Sequence, residues 1–158
     1  MVKKSPGKAR PHSQLGFAYY SQGRIDEAIE EYREAIRFEH KDPYAPEAHY
    51  NLGAAYDEKG RLDEAIVEYR KAIRLKHDFA EAHYNLGLAY YSQGRIDEAI
   101  EEYREAIRFG PGDPDIHFNL GLAYIRKGLK EEATGEFKEA LRLNPQDSEA
   151  YRMLENVR

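Results

Sequence analysis

The sequence predicts an all-α solenoid of stacked helix-turn-helix units, on the strength of a period, a punctuation mark and an amphipathic pattern. A Leu-Gly pair recurs at Leu15-Gly16, Leu52-Gly53, Leu86-Gly87 and Leu120-Gly121, with spacings of 37, 34 and 34 residues. Periods of this size belong to repeat architectures. Each pair is followed by Ala-Tyr (Ala18-Tyr19, Ala55-Tyr56, Ala89-Tyr90, Ala123-Tyr124) and then by a glycine at Gly23, Gly60, Gly94 or Gly128. Beyond the glycine, apolar residues are spaced by three and four, as in Ile25, Ala28, Ile29, Tyr32, Ala35 and Ile36, which gives a helix one apolar face. One such hairpin cannot bury that face, whereas stacked neighbours can.

The elements follow in order. Residues 1–10 hold Lys3, Lys4, Lys8 and Arg10 around Pro6 and Gly7 and read as a flexible basic tail, without the apolar run of a secretory signal. Four repeats are expected at about 11–45, 46–79, 80–113 and 114–147. In each, the first helix should close at its glycine, which tolerates the left-handed conformation, and the second should start on Asp26, Asp63 or Asp97 as an N-cap. The stretch EHKDPYAP, from Glu39 to Pro46, carries two prolines that forbid a continuous helix through the extra residues of the first unit. Residues 148–158 read as a C-terminal capping helix with Arg152, Glu155 and Arg158 to face water. The fourth repeat should be the weakest, because Gly135 lies inside its second helix and Lys130 replaces an expected cap.

A 34-residue helix-turn-helix unit with Leu-Gly, then Tyr, then Ala28, Ala65, Ala99 or Ala133 four residues ahead of Tyr32, Tyr69, Tyr103 or Phe137 resembles the tetratricopeptide repeat. The resemblance covers roughly residues 9–158 and implies a right-handed α-solenoid. Two positions depart from the pattern. His12, His49, His83 and His117 stand where the family usually has Trp, and the closing Pro survives only as Pro111 and Pro145. Zinc needs ring nitrogens at ~2.0–2.1 Å, whereas stacked helices lie ~8–10 Å apart, so these rings read as packing residues and no metal site is assigned. The segment AYYSQGRIDEAIEEYREAIRF occurs letter for letter at Ala18–Phe38 and Ala89–Phe109. Packing does not require identity at solvent-facing positions, so a recent duplication or deliberate assembly of a consensus-like array both remain open.

Composition narrows the function. The chain has 158 residues, 29 acidic against 24 basic, a net charge of −5 and no cysteine, which removes disulfides and thiol chemistry and fits a cytoplasmic location. Glu30, Glu31 and Glu34 lie among Arg33 and Arg37, a pattern repeated at Glu101, Glu102, Glu105, Arg104 and Arg108, and read as a solvated face with weak ion pairs. With no phosphate loop or nucleophile elbow, the expectation is a chain that is not an enzyme and takes no cofactor. The arginine stripe Arg33, Arg37, Arg70, Arg74, Arg104, Arg108 and Arg142 is expected to be neutralised by its glutamates, which argues against nucleic acid. No membrane segment is expected.

The resemblance supplies the binding reading. In tetratricopeptide proteins the residue before Leu-Gly faces the concave groove, which places Asn51, Asn85 and Asn119 in one row continued by Gln14. An amide offers the donor and acceptor that a peptide unit also presents, so such a row can hold an extended backbone. It is similar to the asparagine row of the O-linked N-acetylglucosamine transferase superhelix. Around it the resemblance puts Tyr50, Tyr84 and Phe118, then Phe17, Leu88 and Leu122, with Tyr20 and Tyr91 further along, and Glu47, Glu81 and Asp115 at the rim. The expected function is a non-catalytic module binding a neutral or basic protein or peptide segment. The alternative is a structural or engineered scaffold without a dedicated ligand, whose exposed ends favour self-association.

Overall fold

The computed structural model describes residues 9–38 and 45–157. These form nine α-helices: α1 (Ala9–Ser21), α2 (Ile25–Phe38), α3 (Ala45–Glu58), α4 (Leu62–Leu75), α5 (Ala80–Ser92), α6 (Ile96–Phe109), α7 (Pro114–Lys127), α8 (Lys130–Leu143) and α9 (Ser148–Val157). Most of the expected tail and of EHKDPYAP lies outside the described residues. The first helix nonetheless begins at Ala9, inside the stretch read as tail, and Pro46 is taken into the first turn of α3, where a missing N–H costs no helical bond. Among the described residues no helix is long and apolar enough to cross a membrane.

The turns are made as the glycines require. Gly23, Gly60, Gly94 and Gly128 all have positive φ, from 71° to 81°. The next amide then returns to the helix: Arg24 N donates to Tyr19 O, Arg61 N to Tyr56 O, Arg95 N to Tyr90 O and Leu129 N to Tyr124 O, each at 2.9 Å. This satisfies a carbonyl that the helix end would leave bare.

The aspartates are not caps. Arg61 and Arg95 hold the N-cap positions of α4 and α6 without any side-chain cap bond, and Asp26, Asp63 and Asp97 lie within the first turn. The helices begin two residues earlier than such caps would allow, at Ile25, Leu62 and Ile96, each of which is partly covered there. A carboxylate in the first turn still complements the helix dipole. Asp26 and Asp97 also pair with Lys59 and Lys127 of the next repeat. The last repeat follows the same rule, since α8 starts on Lys130 itself and has Glu131 and Glu132 in its first turn.

The chain divides into two compact units, residues 1–78 and 79–158. In the first, α1 pairs with α2 and α3 with α4, and α2 lies against α3; in the second, α5 to α9 pack each on the next. The spacing of Leu-Gly has a packing cause. Tyr32, Tyr69, Tyr103 and Phe137 are almost fully buried against Gly16, Gly53, Gly87 and Gly121, and a Cβ at those glycines would come within 2.6–2.8 Å of the ring. Any other residue would push the two helices of the hairpin apart. Ala28, Ala65, Ala99 and Ala133 are fully buried for the same reason. Leu15 is 41% exposed, whereas Leu52, covered by the preceding hairpin, is 3% exposed.

Candidate functional site

Each hairpin is fastened by a polar contact that the sequence reading missed. His12, His49, His83 and His117 place Nδ1 at 2.6–2.7 Å from Oε2 of Glu31, Glu68, Glu102 and Glu136. A carboxylate accepts only, so each ring donates through Nδ1 to the second helix of its own repeat. The rings fill the position expected of them as well, since His12 stacks on Phe38 and His83 on Phe109 at 5.6 and 5.7 Å. The usable signal was the constant spacing of nineteen residues between His and Glu in all four repeats. Among the described residues no three His, Asp or Glu are grouped to hold a metal.

In the first unit, α1 and α3 enclose a cleft of about 330 Å³ lined by Arg10, Ser13, Gln14 and Phe17 on one side and Glu47, Ala48 and Asn51 on the other. Four of the predicted groove residues therefore meet: Gln14, Phe17, Glu47 and Asn51. Phe17 is 63% exposed, a large ring left in water at the mouth. Glu47 Oε2 is buried and has no hydrogen-bond partner among the described residues, while its other oxygen lies 3.7 Å from Lys76. Tyr20 lies half-buried nearer the end of α3, where burial and then Glu58 and Asp57 hold its hydroxyl above the ordinary tyrosine value. Tyr50 leans on Tyr69 of its own repeat, with ring centres 5.9 Å apart, and so is shared between core and surface.

In the second unit, α5 and α7 carry the corresponding residues. Tyr84 and Phe118 lean on Tyr103 and Phe137 at 6.0 and 5.7 Å, as Tyr50 does on Tyr69. Asn119 uses its amide nitrogen within the protein, donating to Tyr84 Oη at 3.0 Å and to the Asp115 carbonyl at 2.9 Å. Both of its protons are thereby engaged, which leaves its carbonyl oxygen for a ligand. Burial first, then Asp115 and Asp113, raise the Tyr84 hydroxyl to about 12, although the bond from Asn119 acts the other way. Tyr91 carries the Arg126 guanidinium 5.0 Å above its ring. Asn85, Leu88 and Leu122 are half-covered, and Glu81 and Asp115 are exposed.

The asparagines therefore differ in state. Asn51 makes no hydrogen bond among the described residues, whereas Asn119 is already committed as a donor. Sequence identity at the motif hid this, because the difference lies in what the neighbouring helix presents.

The outer faces behave as expected with one exception. Arg33, Arg37, Arg108 and Arg142 pair with the glutamate three residues earlier. Arg33 also donates to Tyr56 of the next repeat, and Arg104, outside those pairs, donates to Tyr124 of the repeat after its own. On α4 the equivalent glutamates are replaced by Val67 and Lys71, and Arg70 and Arg74 pair with nothing among the described residues.

Comparison with known proteins supports the repeat assignment. The TPR repeat model matches residues 16–60, 56–94 and 87–128, and a second tetratricopeptide repeat model matches 114–147. The crystal structure of MamA superposes with a TM-score of 0.82 at 35% identity, covering 93% of this chain and 84% of that one. MamA 41-end from Desulfovibrio magneticus RS-1 gives 0.87 at 22% identity over 96% and 84%. YrrB, described as a TPR protein with an unusual peptide-binding site, gives 0.81 at 22% identity over 93% and 74%. No curated protein shows a significant match. The family models cover most of the chain, whose hairpins carry the family's glycine turns and small-against-aromatic packing, and the chain belongs to the tetratricopeptide repeat family.

Proposed function

We propose that this protein is a protein-interaction module that holds an extended peptide segment against the groove-side residues of its first helices. The observation that carries the reading is the α1–α3 cleft, where Gln14, Phe17 and Asn51 line one opening together with the carboxylate-bearing Glu47. The half-exposed Glu47 carboxylate would attract a ligand N–H or a basic side chain, Asn51 offers both a donor and an acceptor to a peptide unit, and Phe17 offers apolar area. In the second unit Asn85 and Asn119, with Glu81 and Asp115, offer the same chemistry on α5 and α7. The acidic rim favours neutral or basic segments. That one structural neighbour is described as peptide-binding agrees with this reading.

A peptide-library screen at fixed salt tests it. Asn51→Ala should weaken selected peptides by roughly 2- to 13-fold, the equivalent of ~0.5–1.5 kcal/mol, regardless of their sequence, because a backbone contact does not discriminate. Asn119→Ala should cost less binding, its donors being engaged already. Glu81→Lys should shift preference away from basic peptides. If the parent selects nothing, or if the combined Asn51, Asn85 and Asn119 to Ala variant binds unchanged, the scaffold reading replaces this one.

A further inference from the structure

The exposed face of α4 differs from every other second helix in the chain. Val67, Arg70, Lys71 and Arg74 stand at i, i+3, i+4 and i+7 and line a shallow depression of about 370 Å³. Leu75 borders it. Val67 is 49% exposed and Leu75 53%, two large apolar side chains in water beside the cations. The matching positions on α2 and α6 carry Glu30 and Glu34, and Glu101 and Glu105, and there the arginines are ion-paired or bonded to the next repeat. Here Arg70 and Arg74 have no partner among the described residues, and Lys71 is shared only with Glu68, which lies buried under His49. Asp63, one turn ahead of Val67, marks the N-terminal limit of the basic stretch. A chain with a net charge of −5 thus concentrates unpaired positive charge and apolar surface on one helix face.

We infer that this face of α4 is a second docking surface, taking an acidic amphipathic helix whose carboxylates meet Arg70 and Arg74 and whose apolar side chains cover Val67 and Leu75. Charge complementarity selects the occupant. Arginine forks bind carboxylates in pairs, and the absence of an internal partner leaves nothing to displace. Val67 and Leu75 are eight residues apart, ~12 Å along the helix axis, which a helical ligand spans in about two turns. Nucleic acid is disfavoured because the net charge repels phosphate and the face offers no aromatic ring for base stacking. The surface is separate from the α1–α3 cleft, so it does not depend on the groove reading.

The probe is a fluorescein-labelled helical peptide with leucines two turns apart and glutamates on the same face between them, titrated against the full chain at low and physiological salt. Binding is expected, weaker at the higher salt. The variant Val67→Glu with Lys71→Glu restores the glutamates that α2 and α6 carry in the same fold, so it should keep the parent's circular dichroism and lose ~10-fold or more in affinity. Arg70→Glu with Arg74→Glu should lose at least as much. Arg37→Glu with Arg108→Glu, which reverses paired arginines elsewhere, should change little, as should Asn51→Ala. The inference is overturned if the acidic peptide does not bind, if both arginine pairs matter equally, if the same peptide with lysine for glutamate binds as well, or if a single-stranded oligonucleotide binds more tightly than the peptide.

Discussion

Helices α4 and α6 are built on one inward face and two different outward ones. Both bury the same small and aromatic residues, Ala65, Tyr69 and Ala72 in one and Ala99, Tyr103 and Ala106 in the other. Both close on a glycine that admits a ring at contact distance. Outward, α6 repeats the α2 sequence IDEAIEEYREAIRF without change, whereas α4 reads LDEAIVEYRKAIRL. The substitution of Leu75 for Phe109 removes the ring that stacks on His83, and Lys71 in place of Glu105 gives Glu68 a second donor. The hairpin keeps its His-Glu fastening by a different set of neighbours. The inward face decides the fold, and the outward face is left free to differ.

The strongest way to break this comparison is to attack the shared face. Tyr69→Ala and Tyr103→Ala each remove a fully buried ring and should each cost ~3–5 kcal/mol in chemical denaturation, the range for large aromatic truncations. A loss near 1 kcal/mol at one of them would show that the two hairpins are not packed alike. A smaller test reads the same seam from the other side. Gly53→Ala and Gly87→Ala place a methyl within 2.8 Å of the ring, and overpacking of this kind should lower stability by ~1–3 kcal/mol at both sites.

How much of this was legible in the sequence follows from which forces are periodic. Leu-Gly, the turn glycines and the alanine-aromatic pairs recur because they solve one packing problem in every repeat, and they predicted the helices closely. The aspartate caps failed because a cap is defined by where the first helical residue falls, and partial burial of Ile25, Leu62 and Ile96 moves that point back by two residues. The His-Glu fastenings are legible as a fixed spacing of nineteen residues, but neither residue type signals the pair by itself. The states of Asn51 and Asn119 were not readable, since they depend on the facing helix: Tyr84 of α5 reaches the Asn119 amide, whereas α1 presents Ser13 and Gln14 beside Asn51. The charge on α4 is legible in Val67 and Lys71, which stand where α2 and α6 carry glutamate, but the total over the arginine stripe averages it away.

Gly135 gives the next effect in size, with the opposite sign. It is exposed within α8, has a negative φ, and no atom lies within 4 Å of a Cβ built there. Gly135→Ala should stabilise the last repeat by ~0.5–1 kcal/mol, through reduced freedom of the unfolded chain. Hydrogen exchange of residues 131–143 should slow accordingly. Tyr103→Phe is its counterpart in the core. The Tyr103 hydroxyl is buried without a partner among the described residues, and Phe137 fills the equivalent place in the last repeat with no hydroxyl at all. Removing it should leave stability unchanged or raise it by up to ~1 kcal/mol, since an unsatisfied hydroxyl is costly to bury. A clear loss would mean that the hydroxyl has a partner.

The smallest effect separates the two helices by pH. Burial alone would raise the Glu68 carboxyl, but hydrogen bonds from His49 and Lys71 outweigh it and hold the group below the ordinary value of 4.5. A carboxyl depressed in the folded state adds stability above its unfolded value and loses that contribution as pH falls through the folded one. Glu68→Gln removes the charge, so its deficit against the parent should be full near neutrality and shrink below about pH 4.5, as the parent's own carboxylate is protonated. At Glu102 the same change weakens only the charge-assisted bond from His83, because Glu105 stands where α4 has Lys71. The neutral-pH deficit should therefore be larger for Glu68→Gln than for Glu102→Gln, measured as denaturation midpoints between about pH 7 and pH 3. Equal deficits would mean that Lys71 contributes nothing to the fastening and is held at the surface only for what it meets there.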